Sequence, residues 1–123
     1  ESFFAMARIA QAGVVLSDDA GSIGDPNVQA ANYQLTLADA GRVIEMNAAG
    51  ATVVTVPAHA DVPFPVGTIV EISREGAGAV TIAAAAGVTL HSRGELRAIG
   101  NQYGPVTLRK RAANDWRIAG DMA

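Results

Sequence analysis

Between Ala51 and Leu90 the chain reads ATVVTVPAHADVPFPVGTIVEISREGAGAVTIAAAAGVTL. Apolar and polar residues alternate there in short runs, and each run is stopped by proline or glycine. A period of two places one set of side chains on each face of a strand, so this stretch reads as strands and turns, with no helix. Thr52 to Val56 puts Val54 and Val56 on one side, and Pro57, which has no N–H for a ladder, ends the run. Thr68 to Arg74 puts Val70 and Ile72 together. Gly76-Ala77-Gly78 reads as a tight hairpin turn. Val80 and Ile82 flank Thr81, and Val88 and Leu90 flank Thr89. The similar runs AVTI and GVTL are expected to face each other or to follow one another on one sheet. Ala83 to Ala86 suit a place where backbones approach closely.

The same pattern continues outward in both directions. From Tyr33, Leu35 and Leu37 alternate with polar residues before the turn Asp39-Ala40-Gly41. Ile44 and Met46 then share one face, with Val43 and Glu45 on the other, up to the turn Ala48-Ala49-Gly50. Toward the C-terminus, Val106 and Leu108 point inward, Asn114-Asp115 turns, and Trp116 and Ile118 share a side. Strands that recur every ~8–12 residues between turn signals predict an all-β fold, an antiparallel β-sandwich or jelly-roll-like barrel of short strands. No longer period returns, which argues against a solenoid. Residues 33–123 form this domain. Residues 1–32 form an N-terminal arm and linker, because 21–32 is rich in Gly, Asp, Asn and Pro. Phe3, Met6 and Ile9 are spaced for one side of a short helix, and an extended arm fits almost as well. With Phe4 they make the arm apolar enough to bind a partner.

Composition limits what the domain can do alone. Half of the 123 residues are hydrophobic and only 5% are aromatic. The core is therefore built from Val, Ile, Leu and Ala, each burying modest area at roughly 25 cal/mol per Å². A thin core favours a subunit that completes its burial against other copies or a larger surface. A net charge of −3 argues against a generic nucleic-acid binder. The absence of cysteine removes disulfides, thiolate metal sites and cysteine catalysis. No apolar run is long enough to read as a membrane-spanning helix.

Chemistry-bearing motifs are sparse. Glu45 and Glu71 fit neighbouring strands, but a solvated face explains them better than a catalytic pair. His59-Ala60-Asp61 lacks further ligands for a metal, and an exposed loop histidine is the simpler reading. Gly76-Ala77-Gly78 has neither nucleotide-binding spacing nor a following helix. No catalytic residue, metal site or cofactor is expected, and the chain does not read as an enzyme. Arg109-Lys110-Arg111 is the one basic cluster. Arg109 and Arg111 share a face with Lys110 opposite, and Arg97 and Arg117 could extend the stripe toward an acidic partner. A charged edge strand is the plainer account. Phe64, stiffened by Pro63 and Pro65, and Tyr103 are candidate surface contacts, together with Arg109 and Arg111. Trp116 is in phase with Ile118 and reads as core.

Several segments together carry a resemblance: VTVP at 54–57, FPVGT at 64–68, GAGAVTIAAAAGVTL at 76–90, QYGPVTLRK at 102–110 and NDWRIAGD at 114–121. In this order they resemble a small β domain of tailed-bacteriophage structural proteins, of capsid-decoration, head-fibre or tail-fibre type. The resemblance covers about three-quarters of the chain. It implies a non-enzymatic virion protein on the particle exterior, most often a homotrimer. Its partners would be the major capsid protein or another virion protein, and in a fibre role a host surface polysaccharide. Pro57, Phe64, Gly67, Gly76, Gly78, Gly87, Tyr103, Trp116 and Gly120 match as structural positions. The arm lies outside the match.

Overall fold

The computed structural model describes residues 24–123. The arm residues Phe3, Phe4, Met6 and Ile9 lie outside the described residues. The fold is all-β. Its strands are β1 (Asn27–Gln29), β2 (Tyr33–Gln34), β3 (Val43–Met46), β4 (Thr52–Val56), β5 (Ile69–Arg74), β6 (Val80–Ala84), β7 (Thr89–His91), β8 (Pro105–Ala112) and β9 (Asp115–Gly120), with 3-10 turns at Leu37–Asp39 and Arg93–Glu95. The sheet thus begins at Asn27, ahead of the boundary expected near Asn32.

A six-stranded sheet runs β1-β3-β5-β8-β9-β7, and a three-stranded sheet runs β2-β4-β6. From β1 to β6 the chain alternates between them, one strand to each sheet in turn. Neighbours in a sheet therefore lie one full circuit apart and run parallel: β1 with β3, β3 with β5, β2 with β4, and β4 with β6. The last circuit has the same offset in both sheets, since Ile44 pairs with Ile72 and Val54 with Ile82. β8 pairs antiparallel with β5 and with β9, and β7 lies parallel to β9.

This corrects the expectation of an antiparallel arrangement. Strand spacing is the same whether a turn folds a strand back beside its predecessor or carries it across to another sheet. The winding also escapes a search for repeats, because its first circuit is shorter than its second. AVTI and GVTL, expected to face each other or to follow one another on one sheet, fall in different sheets at β6 and β7, which excludes the second arrangement. Leu37, read with Leu35 as part of one alternating strand run, is exposed in a 3-10 turn. That turn is set by Asp39, whose carboxylate accepts the Thr36 N–H at 2.8 Å and the Tyr33 hydroxyl at 2.7 Å.

Gly76-Ala77-Gly78 is a corner between sheets rather than a hairpin. It stacks on the corner one circuit earlier, with the Gly76 N–H donating to Met46 O and the Gly78 N–H to Ala48 O at 2.9 Å. A Cβ on Gly76 would overlap the Ala48 backbone, and one on Gly78 would overlap the Gly50 carbonyl. Only glycine lets these corners close.

The inward residues of both sheets meet in one core. Ile44, Met46, Val70, Ile72, Val106, Leu108, Trp116 and Ile118 come from the larger sheet, and Val54, Val56, Val80 and Ile82 from the smaller. The alternation read from the sequence holds across these strands. Trp116 and Phe64 are the largest buried side chains and meet edge to face at 5.5 Å between ring centres, an arrangement that adds to their burial.

Candidate interaction surface

The outer face of the six-stranded sheet is positioned by the register of its strands. Because side chains alternate, the residues that are not in the core stand in rows across it. One row runs Val43, Glu71, Thr107, Ala119. The next runs Ile69, Arg109, Arg117, His91. On the other side Glu45 pairs with Val28 and Ser73. The face is therefore divided. Its β3–β5 part carries Glu45 and Glu71, and its β8–β9 part carries Arg109 and Arg117.

Arg109 and Arg117 are both exposed and directly opposite across an antiparallel pair. Among the described residues neither guanidinium has a hydrogen-bond or ion-pair partner. Like charges so placed destabilise a sheet. The rest of the stripe expected from the sequence does not join them. Arg111 reaches Asp115 at 3.2 Å. Arg97 turns to Ser92 Oγ and to the carbonyls of Leu90 and Leu96.

Tyr103 lies beside the acidic part. It is 69% exposed and holds a left-handed backbone at φ 68°, uncommon for a large residue. Its N–H donates to Arg74 O, which holds the turn. With Glu45, Glu71, Ser73, Glu75 and Pro105 it lines an open cleft. Ser73 Oγ donates to Glu75 at 2.9 Å, whereas Glu45 and Glu71 have no such partner among the described residues. Alternation set Glu45 and Glu71 on neighbouring strands, but nothing in the sequence placed Tyr103 and Glu75 beside them, because the contact crosses from the 101–103 turn to β5.

Phe64 proves unavailable to a partner. It is fully buried, so the surface role expected of it is corrected. The prolines fix it inward against Trp116, not outward. Lys110 takes the face opposite to Arg109, as expected, and the consequence is a buried lysine, 1% exposed. Its ammonium donates to Phe64 O at 2.7 Å, meets His59 Nδ1 at 2.6 Å and sits 5.9 Å from the Trp116 ring centre. His59, expected as an exposed loop residue, is half-buried in this contact. Burial lowers the Lys110 pKa from its ordinary value. Lys110 thus pins the loop 57–66 to β8. No sequence signal separates it from its exposed neighbours except alternation.

On the other side of the fold, burial first and then the hydrogen bond to Asp39 raise the Tyr33 phenol above its ordinary value. Asn27 joins both groups, at 2.9 Å from the Tyr33 hydroxyl and 3.1 Å from Asp39. This ties β1 to the 3-10 turn. Among the described residues no group of three or more His, Cys, Asp or Glu converges as a metal site. No family model matches the chain, and neither a curated protein nor a solved structure does.

Proposed function

We propose that this chain is a structural protein of a tailed-phage particle, a capsid decoration or head-fibre protein on the shell exterior. The geometric observation that carries the reading is the divided outer face, whose unpaired arginines and carboxylates suit protein contact. The resemblance of residues 33–121 supports it, and so does a core that is almost entirely aliphatic. In this reading copies associate, as a homotrimer in keeping with the resemblance, and the arm with Phe3, Phe4, Met6 and Ile9 docks on the major capsid protein. The frame is best described as a flattened sandwich, the three-stranded sheet on the six-stranded one. Binding only to the assembled shell would stabilise that shell by mass action. The test is cosedimentation of the purified chain with expanded shells of the capsid protein from the same genome. Saturable binding that is lost on deleting residues 1–23, which leaves β1 (Asn27–Gln29) in the sheet, is expected, and absence of binding overturns the proposal.

A second reading has its own observation. Tyr103 is an exposed ring beside polar groups, which is how many sugar sites grip the apolar face of a pyranose. A fibre module that binds host polysaccharide would use this cleft. Glycan-array binding that disappears in Tyr103→Ala supports this reading, and an array without hits removes it.

A further inference from the structure

We infer that the outer face of the six-stranded sheet is the surface through which copies of this chain bind one another, acidic part against basic part. The inference deepens the self-association proposed above and rests on it. Three observations carry it. First, Arg109 and Arg117 face each other across β8 and β9 without an anionic partner among the described residues. A lone chain gains nothing from that pairing, and a carboxylate arriving from outside would relieve it. Second, the missing carboxylates are on the same face. Glu45 and Glu71 stand on β3 and β5; Glu71 is directly opposite Thr107 on β8 and diagonal to Arg109, with no ion pair between them among the described residues. Third, Ile69 lies beside Arg109 in the register and is 48% exposed, and Val28 beside Glu45 is 55% exposed. Apolar side chains thus adjoin both charged parts.

One surface with opposite charge on its two halves is complementary to itself. A second copy can set its Glu45 and Glu71 against Arg109 and Arg117, and receive the reverse contact either from the same partner or from the next copy round a ring. Charge complementarity of this kind fixes register and orientation, and exposed pairs of this kind are weakened by salt.

The experiment is sedimentation velocity on three charge variants of the full chain. One reverses the basic part (Arg109→Glu with Arg117→Glu), one reverses the acidic part (Glu45→Arg with Glu71→Arg), and the third carries all four changes. The wild type is expected to form a discrete oligomer that weakens with added salt. Each two-site variant is expected to be monomeric with an unchanged circular-dichroism spectrum, and the four-site variant to regain the oligomer. Oligomers that persist in both two-site variants overturn the inference, as does a wild type that stays monomeric. So does a wild type that stays monomeric and binds dextran sulfate through Arg109 and Arg117, since the basic row would then serve a polyanion. A monomeric variant that still cosediments with capsid shells separates the two proposals. In that outcome the variant's shell binding supports the virion role, and its loss of the oligomer supports this face as the contact between copies.

Discussion

Arg109 and Arg117 stand directly opposite one another on β8 and β9, exposed and without an anionic partner among the described residues. A cross-strand pair of opposite charge is worth roughly 0.2–1 kcal/mol over a neutral one, and like charges cost a comparable amount. Arg117→Glu should therefore stabilise the isolated chain by about 0.5 kcal/mol while weakening its self-association. Urea denaturation at a concentration where the chain is monomeric reads the first effect, and sedimentation reads the second. Loss of stability with association intact would contradict the role given to this pair.

The stacked corners make a prediction about glycine. Gly78→Ala forces a Cβ into the Gly50 carbonyl, whereas the same change at Gly50 meets open space. Overpacking typically costs about 1–3 kcal/mol and occasionally more, and a rigid carbonyl leaves little room to relax. Gly78→Ala should fall in that range or fail to fold. Gly50→Ala should change stability by less than about 1 kcal/mol. Equal effects at the two positions would mean that the corners do not stack as described.

Lys110 predicts a dependence on pH. Its value is lowered in the fold, from an ordinary 10.5, so the fold disfavours the charged form. That penalty is present in full at pH values below the lowered value and is relieved as pH rises from there toward 10.5. Lys110→Met removes the titrating group. The stability of the wild type relative to this variant should therefore increase between neutral and alkaline pH, as read from denaturation midpoints. A flat or falling difference would place the ammonium in solvent.

Tyr103 holds a left-handed backbone while most of its ring is in solvent. For a residue with a Cβ that conformation costs roughly 1–2 kcal/mol. Tyr103→Gly should raise stability by about 1 kcal/mol, in part offset by the greater freedom of glycine in the unfolded chain. A substantial loss of stability would show that the ring is held by contacts made within the fold.

The all-β class and the inward set of residues were legible because alternation is a local property. Val54 with Val56, Val70 with Ile72, and Trp116 with Ile118 each declare a shared face within a few residues. Parallel pairing was not legible, since nothing local to Gly76-Ala77-Gly78 distinguishes a fold back from a crossing to the other sheet. The closeness of its backbone to Ala48 and Gly50 depends on contacts a whole circuit away. The candidate surface was half visible. Alternation separates Arg109 and Arg111 from Lys110, but only the register sets Arg117 against Arg109 and gives Arg111 to Asp115. Phe64 misled because prolines that stiffen a loop do not say which way its side chain points.

Disulfide cross-linking between copies tests the divided face most directly, because the chain has no cysteine of its own. Val43 lies at the acidic end of the central row and Ala119 at the other end. Chains carrying Val43→Cys and chains carrying Ala119→Cys are mixed and oxidised under mild conditions. Acidic part against basic part predicts a covalent product joining one chain of each kind, formed faster than either like pair and slowed by added salt. No mixed product, or like pairs formed equally fast, would contradict it.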